Sequence, residues 1–394
     1  MQLTRRIDCA NGSAMGRRTY RLGRGASTFC GFAPWVPGRL IRDVDVRLDA
    51  PLPPPTLLEN VLCLPKRRAL YDAGGARIAL SAPTYLEPDL PPRRWQAGER
   101  RALDQSSPAV IPVPERPVVV EEPVLYLGTF VRHYGLFLMD ALSRAWALEA
   151  VDPAMKVVFA PPAALDSAPP FVTAILAALG VSPDRVIQSG RNLLLRKVLV
   201  PLPAMQAGRR IYGGYDAPHR WAGAVLGAGG TDAFAGRCVY LSRTRLPGGH
   251  RTIAGETALE QRLEREDFAI AHPQEMSLSD QIALFDTARA VVGQAGSAMH
   301  TALFRRAETP LRLACLTWGD LNGRFLLTDA IRPHDSWYLD CLAPDVTLAQ
   351  VARRALGRED VALNRERFRL NVDRAMDLLS DASFLSGGQS PAGG

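Results

Sequence analysis

Three short stretches of this sequence carry side chains whose types and spacing could do chemistry, the first two of them on an anion. The first is Tyr240-Leu241-Ser242-Arg243-Thr244-Arg245, where an apolar run ends in hydroxyl and guanidinium groups. Ser242, Arg243 and Arg245 are fitted to grip a diphosphate, each charge-assisted bond being worth about 1.5–3 kcal/mol. A solvated basic loop is the plainer reading of the same residues. The second stretch is Val291-Val292-Gly293-Gln294-Ala295-Gly296-Ser297-Ala298-Met299-His300. Gly293 and Gly296 let a backbone approach a ligand closely, and Ser297 can cap a helix or donate to an oxygen. Read blandly, it is a tight turn closed by an ordinary serine cap. The third is Arg132-His133-Tyr134-Gly135-Leu136-Phe137-Leu138-Met139-Asp140. His133 and Asp140, seven apart, share a face if one helix holds both, and Asp140 is spaced to pair with Arg144. An amphipathic helix with a surface ion pair also accounts for that stretch.

The elements around these residues decide whether they can act. From Pro123 onward, strand-like and helix-like segments alternate. Strands are expected at Val124–Leu127, Lys156–Ala160, Arg185–Gln188 and Leu193–Val200, with helices at Tyr134–Glu149 and Pro170–Leu179. A Gly- and Ala-rich stretch from Pro203 to Gly236 reads as a connection. The alternation then resumes with strands at Cys238–Arg243, Phe268–His272, Ala290–Gly293 and Leu311–Leu316, and helices at Glu256–Arg265, Ser277–Arg289 and Ser297–Phe304. Ser277-Leu278-Ser279-Asp280 is a capping-box start. Two further helices are expected near Thr347–Leu356 and Arg367–Leu379. Such alternation implies βαβ units on parallel sheets, an α/β fold in two lobes. Strand carboxyl ends and helix N-termini then bring the first two stretches to one edge, where phosphates bind.

The first 120 residues are less legible. Prolines at 51, 53, 54 and 55 and from Pro108 to Pro123 interrupt regular structure, and the clearest strand is Leu40–Leu48, with alternating Asp43, Asp45 and Arg47. Asp43-Val44-Asp45 has the form of a metal-binding DxD, but its alternation favours a structural strand.

At 394 residues, with 47% hydrophobic and 22% charged residues, the chain is globular and large enough for two cores. Its net charge of +7 is almost wholly arginine, lysine occurring only at Lys66, Lys156 and Lys197. That suits a phosphorylated ligand, although base composition of the genome produces the same bias. No basic stripe with interleaved aromatics is present, which argues against nucleic acid as a partner. Six scattered cysteines without a CxxC pair suit a reducing compartment. The amino terminus lacks the apolar core of a signal peptide and no apolar run approaches 18 residues, so a cytoplasmic location is expected. The basic surface leaves room for peripheral membrane contact. His219, His250, His272 and His334 lack metal-ligand spacing.

Taken together, HYGLFLMDALSRAWAL, YLSRTRL and PQEMSLSDQIALFDTARAVVGQAGSAMHTALF resemble glycosyltransferase family 61, over about Val131 to Phe304. Bacterial members are often labelled capsular polysaccharide biosynthesis proteins. The resemblance implies a GT-B-like fold, two Rossmann-like lobes facing each other across a cleft. It also implies an inverting mechanism, a nucleotide-sugar donor, a glycan or lipid-linked glycan acceptor, and neither a metal nor another cofactor. On it, 1–122 is a proline-interrupted part of the N-terminal lobe and 123–205 the N-terminal Rossmann-like lobe on the acceptor side. A connecting segment at 206–236 precedes the donor lobe at 237–340, and 341–394 holds terminal helices and a flexible tail. Asp140 matches the family's acidic position and is the expected base. His300 matches the family's histidine and is expected to touch the donor. The family motif places a further histidine four residues before the acid, where this chain has Leu136; His133, one turn earlier, is the expected substitute. A non-catalytic nucleotide-sugar-binding protein that regulates or scaffolds surface-polysaccharide synthesis is the alternative, and Leu136 is the residue that favours it.

Overall fold

A computed structural model describes residues 17–32, 35–90, 105–246, 253–317, 321–344 and 368–385. The chain divides into two units, one made of the described residues through Val44 together with those from Gly227 onward, the other of Asp45–Leu226. In chain order the elements are β1 (Arg17–Leu22), β2 (Gly25–Cys30) and α1 (Trp35–Arg42), all in the first of these, called the C-terminal unit. The middle unit follows with β3 (Asp45–Arg47), β4 (Thr56–Cys63), β5 (Val118–Val120), β6 (Val124–Thr129), α2 (Tyr134–Met139), β7 (Lys156–Ala160), α3 (Pro170–Ala178), β8 (Leu193–Val200), β9 (Met205–Gln206), β10 (Arg210–Tyr212) and α4 (Asp216–Leu226). The chain then returns to the C-terminal unit. Its elements there are β11 (Cys238–Leu241), β12 (Ile253–Ala254), α5 (Glu256–Arg265), β13 (Ala269–Ala271), α6 (Leu278–Thr287), β14 (Ala290–Gln294), β15 (Arg312–Thr317), α7 (Gly323–Ile331), β16 (Asp335–Asp340), β17 (Leu342–Pro344), β18 (Phe368–Leu370) and α8 (Val372–Asp381).

The main sheet of the C-terminal unit runs β1-β2-β16-β15-β14-β11-β13, with every pair parallel except the β1–β2 hairpin. Strands covered on both faces read as continuous apolar runs, and the side-chain period of two sorts them between the faces. Cys238 and Tyr240 pack with Leu259 and Leu263 of α5 and with Leu378 and Leu379 of α8. Val239 and Leu241 pack on the opposite face with Leu284 and Phe285 of α6 and Leu326 of α7. Ser277 caps α6 as its capping box predicts, its hydroxyl accepting the Asp280 N–H at 3.0 Å. In the β1–β2 hairpin, glycine is required at Gly25, where a Cβ would collide with the Asp329 carbonyl.

The sheet of the middle unit runs β4-β8-β6-β7, with β5 also beside β8. Here β5, β6 and β7 are parallel to their partners and only β4 is antiparallel. The four prolines before β4 therefore end where the strand begins, at an end of the sheet where a missing N–H costs little. A second, small sheet, β3-β10-β9, is tied by Arg210. That buried guanidinium meets Asp45, Glu87 and Asp89 at 2.7–3.1 Å.

Several expectations give way here. Leu40–Leu48 is not one strand, because Leu40 and Ile41 belong to α1, with Ile41 buried against the main sheet, and the strand is only Asp45–Arg47. Asp45 of the DxD-like triplet is an ion-pair partner of Arg210, as a structural role demands. Arg185–Gln188 is not a strand; Pro183 opens a 3-10 turn, and Val186 keeps a single bridge to Val157. The stretch read as a connection, 206–236, holds β10 and the eleven-residue α4. The middle unit thus runs on to Leu226, while residues through Val44, read as N-terminal lobe, group with the C-terminal half. Of the terminal helices, 347–356 falls outside the described residues, and Arg367–Leu379 resolves into β18 and α8, capped by Asn371. Among the described residues no helix is long and apolar enough to cross a membrane.

Candidate functional site

In the C-terminal unit β11 has β13 on one side and β14 on the other. The chain winds from β11 through α5 to β13, then back through α6 to β14, so successive crossovers diverge between β11 and β14. Open α/β sheets bind ligands at such a switch point, beyond the strand carboxyl ends. Ser242–Arg245 leaves β11 there and Ala295–His300 leaves β14 there.

The two loops meet. Arg243 Nη1 donates to Gln294 Oε1 at 2.8 Å. The Arg243 backbone N–H donates to Glu256 Oε1 at 2.9 Å, and the Tyr240 hydroxyl reaches the same oxygen at 3.0 Å. Burial pushes the Glu256 carboxyl above its ordinary range, against the pull of those two donors. Ser242 is turned inward. Its N–H bonds to the Ala271 carbonyl and its Oγ accepts the Thr244 N–H at 3.0 Å, so the hydroxyl shapes the turn. Arg245 lies at the surface, with Nη1 2.9 Å from Glu275 Oε2. The pair of arginines is therefore unequal, one half-buried and clamped, the other exposed and ion-paired.

Gly293 faces Met299 and Leu241, where a Cβ would lie 3.1 Å from Met299 Sδ and 3.2 Å from Leu241 Cβ. At Gly296 a Cβ would make only ordinary contact, 3.6 Å from Arg243 Nη1. Ser297–Phe304 is a 3-10 helix, not an α-helix. Met299 and Ala302, three apart, both enter the core under the sheet, which is the period of the tighter winding. Ser297 is its first residue, half-buried. His300 is buried, its ring 4.5 Å from that of Phe325.

In the middle unit β6 has β7 on one side and β8 on the other, a second switch point. His133 and Asp140 lie beyond its carboxyl end, but not on one helix face. His133 precedes α2, Nδ1 accepting the Leu136 N–H at 3.4 Å, and Asp140 follows it. The helix expected over Tyr134–Glu149 breaks at Asp140, whose carbonyl accepts the Ser143 hydroxyl at 2.7 Å, and Ala141–Ala150 continues as 3-10. Asp140 lines a recess with Tyr85, Thr129, Ser143 and Arg144. Arg144 is buried and donates to the Pro201 and Leu80 carbonyls, with its guanidinium over the Tyr126 ring. Burial depresses its basicity, while Tyr126 and Asp140 act in the opposite sense. Leu136 is 39% exposed. Among the described residues no group of three or more His, Cys, Asp or Glu is placed to hold a metal ion.

Two residues of the crevice, Gln294 and Glu256, go unflagged by the sequence. Gln294 closes an otherwise apolar strand, which is its one visible signal. Glu256 opens a helix, where an acid is expected for the helix dipole alone.

The family model described as Glycosyltransferase 61 matches residues 58–311, about two thirds of the chain. No curated protein matches the chain.

Proposed function

We propose, starting from the fact that this chain belongs to glycosyltransferase family 61, that it is an inverting enzyme working without a metal ion. It takes a sugar from a nucleotide-sugar donor and places it on a glycan or lipid-linked glycan acceptor. The product is a surface or extracellular polysaccharide, capsular or exopolysaccharide, assembled from the cytoplasmic side. The observation that carries the donor assignment is the Arg243–Gln294 contact, which joins the two anion-suited loops at a switch point. The GT-B-like reading belongs to the same proposal. Each unit by itself has a largely parallel sheet with a switch point, as that fold asks of each lobe.

The chemistry is a single displacement. The acceptor hydroxyl oxygen forms a bond to the anomeric carbon as its proton passes to the Asp140 carboxylate. The bond from that carbon to the diphosphate oxygen breaks, and the nucleoside diphosphate leaves with the electron pair. Arg243 meets the charge that develops on the leaving oxygen, and a guanidinium fixed beforehand does so without reorganising. Arg245, the loop Gly293–Gly296, Ser297 and His300 complete the donor side in this proposal, and His133 attends the acceptor side with Asp140. Ser242 contributes through the turn it closes.

A thermal-shift screen over common nucleotide sugars and nucleoside diphosphates tests the proposal. A ligand at 100 times its Kd stabilises by about 2.7 kcal/mol, and no shift across the panel overturns it. The exposed Leu136, where the family pattern has histidine, favours one second reading, a binding protein without turnover. That reading stands only if a stabilising nucleotide sugar is neither transferred nor hydrolysed.

A further inference from the structure

We infer that Gln294 is itself a ligand of the donor's diphosphate, its Nε2 donating to a phosphate oxygen beside Arg243; the inference rests on the nucleotide-sugar reading above. Gln294 is only 5% exposed, and its Nε2 is buried without a hydrogen-bond partner among the described residues. The orientation of the amide is not free. Arg243 has donors only, so the oxygen of Gln294 must face it at 2.8 Å, which leaves the NH2 pointing elsewhere. A buried donor left unmade is costly, so a group outside the chain, a ligand oxygen among them, is expected to meet it. The group that satisfies this donor must be an acceptor, and the position sets what kind. Gln294 ends β14 at the switch point, beside a guanidinium whose backbone is pinned by the buried Glu256. An anionic oxygen, an acceptor only, satisfies that amide and is attracted by the charge of the neighbouring guanidinium. Arg243 and Gln294 thus form a two-pronged clamp on one phosphate group, with Glu256 acting as a positioning residue through the Arg243 N–H.

The test is a double-mutant cycle read by calorimetric binding of the common nucleoside 5′-diphosphates, each with its nucleoside as control. Gln294→Met keeps the volume and removes the amide. It is expected to weaken diphosphate binding about tenfold or more and to leave nucleoside binding unchanged. In the Arg243→Met background it still costs several-fold, because the amide makes its own bond. If Gln294→Met is silent in that background, Gln294 only positions Arg243 and the inference fails. Thermal unfolding without ligand gives an independent readout. The Met variant loses the acceptor of the Arg243 bond but also an unsatisfied buried N–H, two opposed effects, so its unfolding midpoint is expected to stay close to the parent's, and a large loss of stability shows a structural role instead. If the parent binds no nucleoside diphosphate, the proposed function falls and takes this inference with it. If the parent binds and Gln294→Met binds equally well, only the inference falls.

Discussion

Arg243 and Gln294 are 51 residues apart in the chain and 2.8 Å apart in space. The parallel register explains the meeting. Leu241 of β11 sits opposite Gly293 of β14, so the first residues past each strand leave the sheet side by side. A slip of one residue would exchange Cys238 and Tyr240, packed with α5 and α8, for Val239 and Leu241, packed with α6 and α7 on the other face.

The unequal surroundings of the two arginines give the first prediction. Arg243→Ala is expected to weaken nucleoside diphosphate binding by about 1.5–3 kcal/mol, the worth of a charge-assisted bond in a partly dry site. Arg245→Ala, which breaks an exposed pair with Glu275, should cost less than about 1 kcal/mol. Titration calorimetry at fixed ionic strength measures both. Equal losses would place the diphosphate out over the loop tip instead of in the crevice.

How much of this was legible before the structure depends on how far each feature is local. β7 and α5 fall on the expected residues because an apolar run or a helical period was enough to define them. The loops at 242–245 and 293–300 were legible for the same reason, as breaks after apolar strands. β4 was not, because Thr56–Cys63 has no clean alternation and its partner β8 begins 130 residues after its end. The Arg210 cluster was equally hidden, since Asp45, Glu87 and Asp89 meet only in three dimensions. The break at Asp140 depends on Ser143 competing for a backbone carbonyl, which periodicity does not register.

Asp140→Asn tests the proposed base. The amide keeps the size and position of the side chain in its recess but takes no proton. Turnover is expected to fall about 10²–10⁴-fold, the usual worth of a general base, with the Kd for nucleoside diphosphate unchanged. Transfer or donor hydrolysis, assayed beside calorimetry, separates the two quantities. Near-parental turnover would remove Asp140 from the chemistry.

Gly293→Ala probes packing under the second loop. Its added Cβ meets Met299 Sδ at 3.1 Å and Leu241 Cβ at 3.2 Å, so neighbours must give way. Overpacking of this kind costs about 1–3 kcal/mol, and the flexible Met299 thioether puts this site toward the lower end. Adding Met299→Ala should relieve part of the clash, which a double-mutant cycle in denaturant unfolding resolves. Gly296→Ala, with only ordinary contacts, is expected to leave stability within about 0.5 kcal/mol. A larger loss at 296 than at 293 would contradict this account of the turn.

The last prediction concerns a buried carboxyl away from the crevice. Asp329 on α7 accepts the hydroxyls of Ser27 at 2.7 Å, Ser336 at 2.7 Å and Tyr338 at 2.6 Å. These donors favour the charged form, yet burial outweighs them and pushes its pKa up to about 6. An unfolded aspartate titrates near about 3.9, so between those values the folded state holds the extra proton. Stability from this group is therefore fully present below pH 4 and is lost as pH rises through about 6. His334, buried in the same core and depressed to about 3, works in the opposite sense, losing stability as pH falls below the ordinary histidine range. The raw pH profile sums the two, so the informative quantity is the difference between Asp329→Asn and the parent. Asparagine does not titrate, and the three hydroxyls can rotate to suit its amide. The variant should gain on the parent by on the order of 2–3 kcal/mol between pH 4 and pH 7. Denaturant midpoints across that range measure the gain. A difference that stays flat with pH would mean that Asp329 is ionised throughout, with its three hydroxyl donors outweighing the cost of burial.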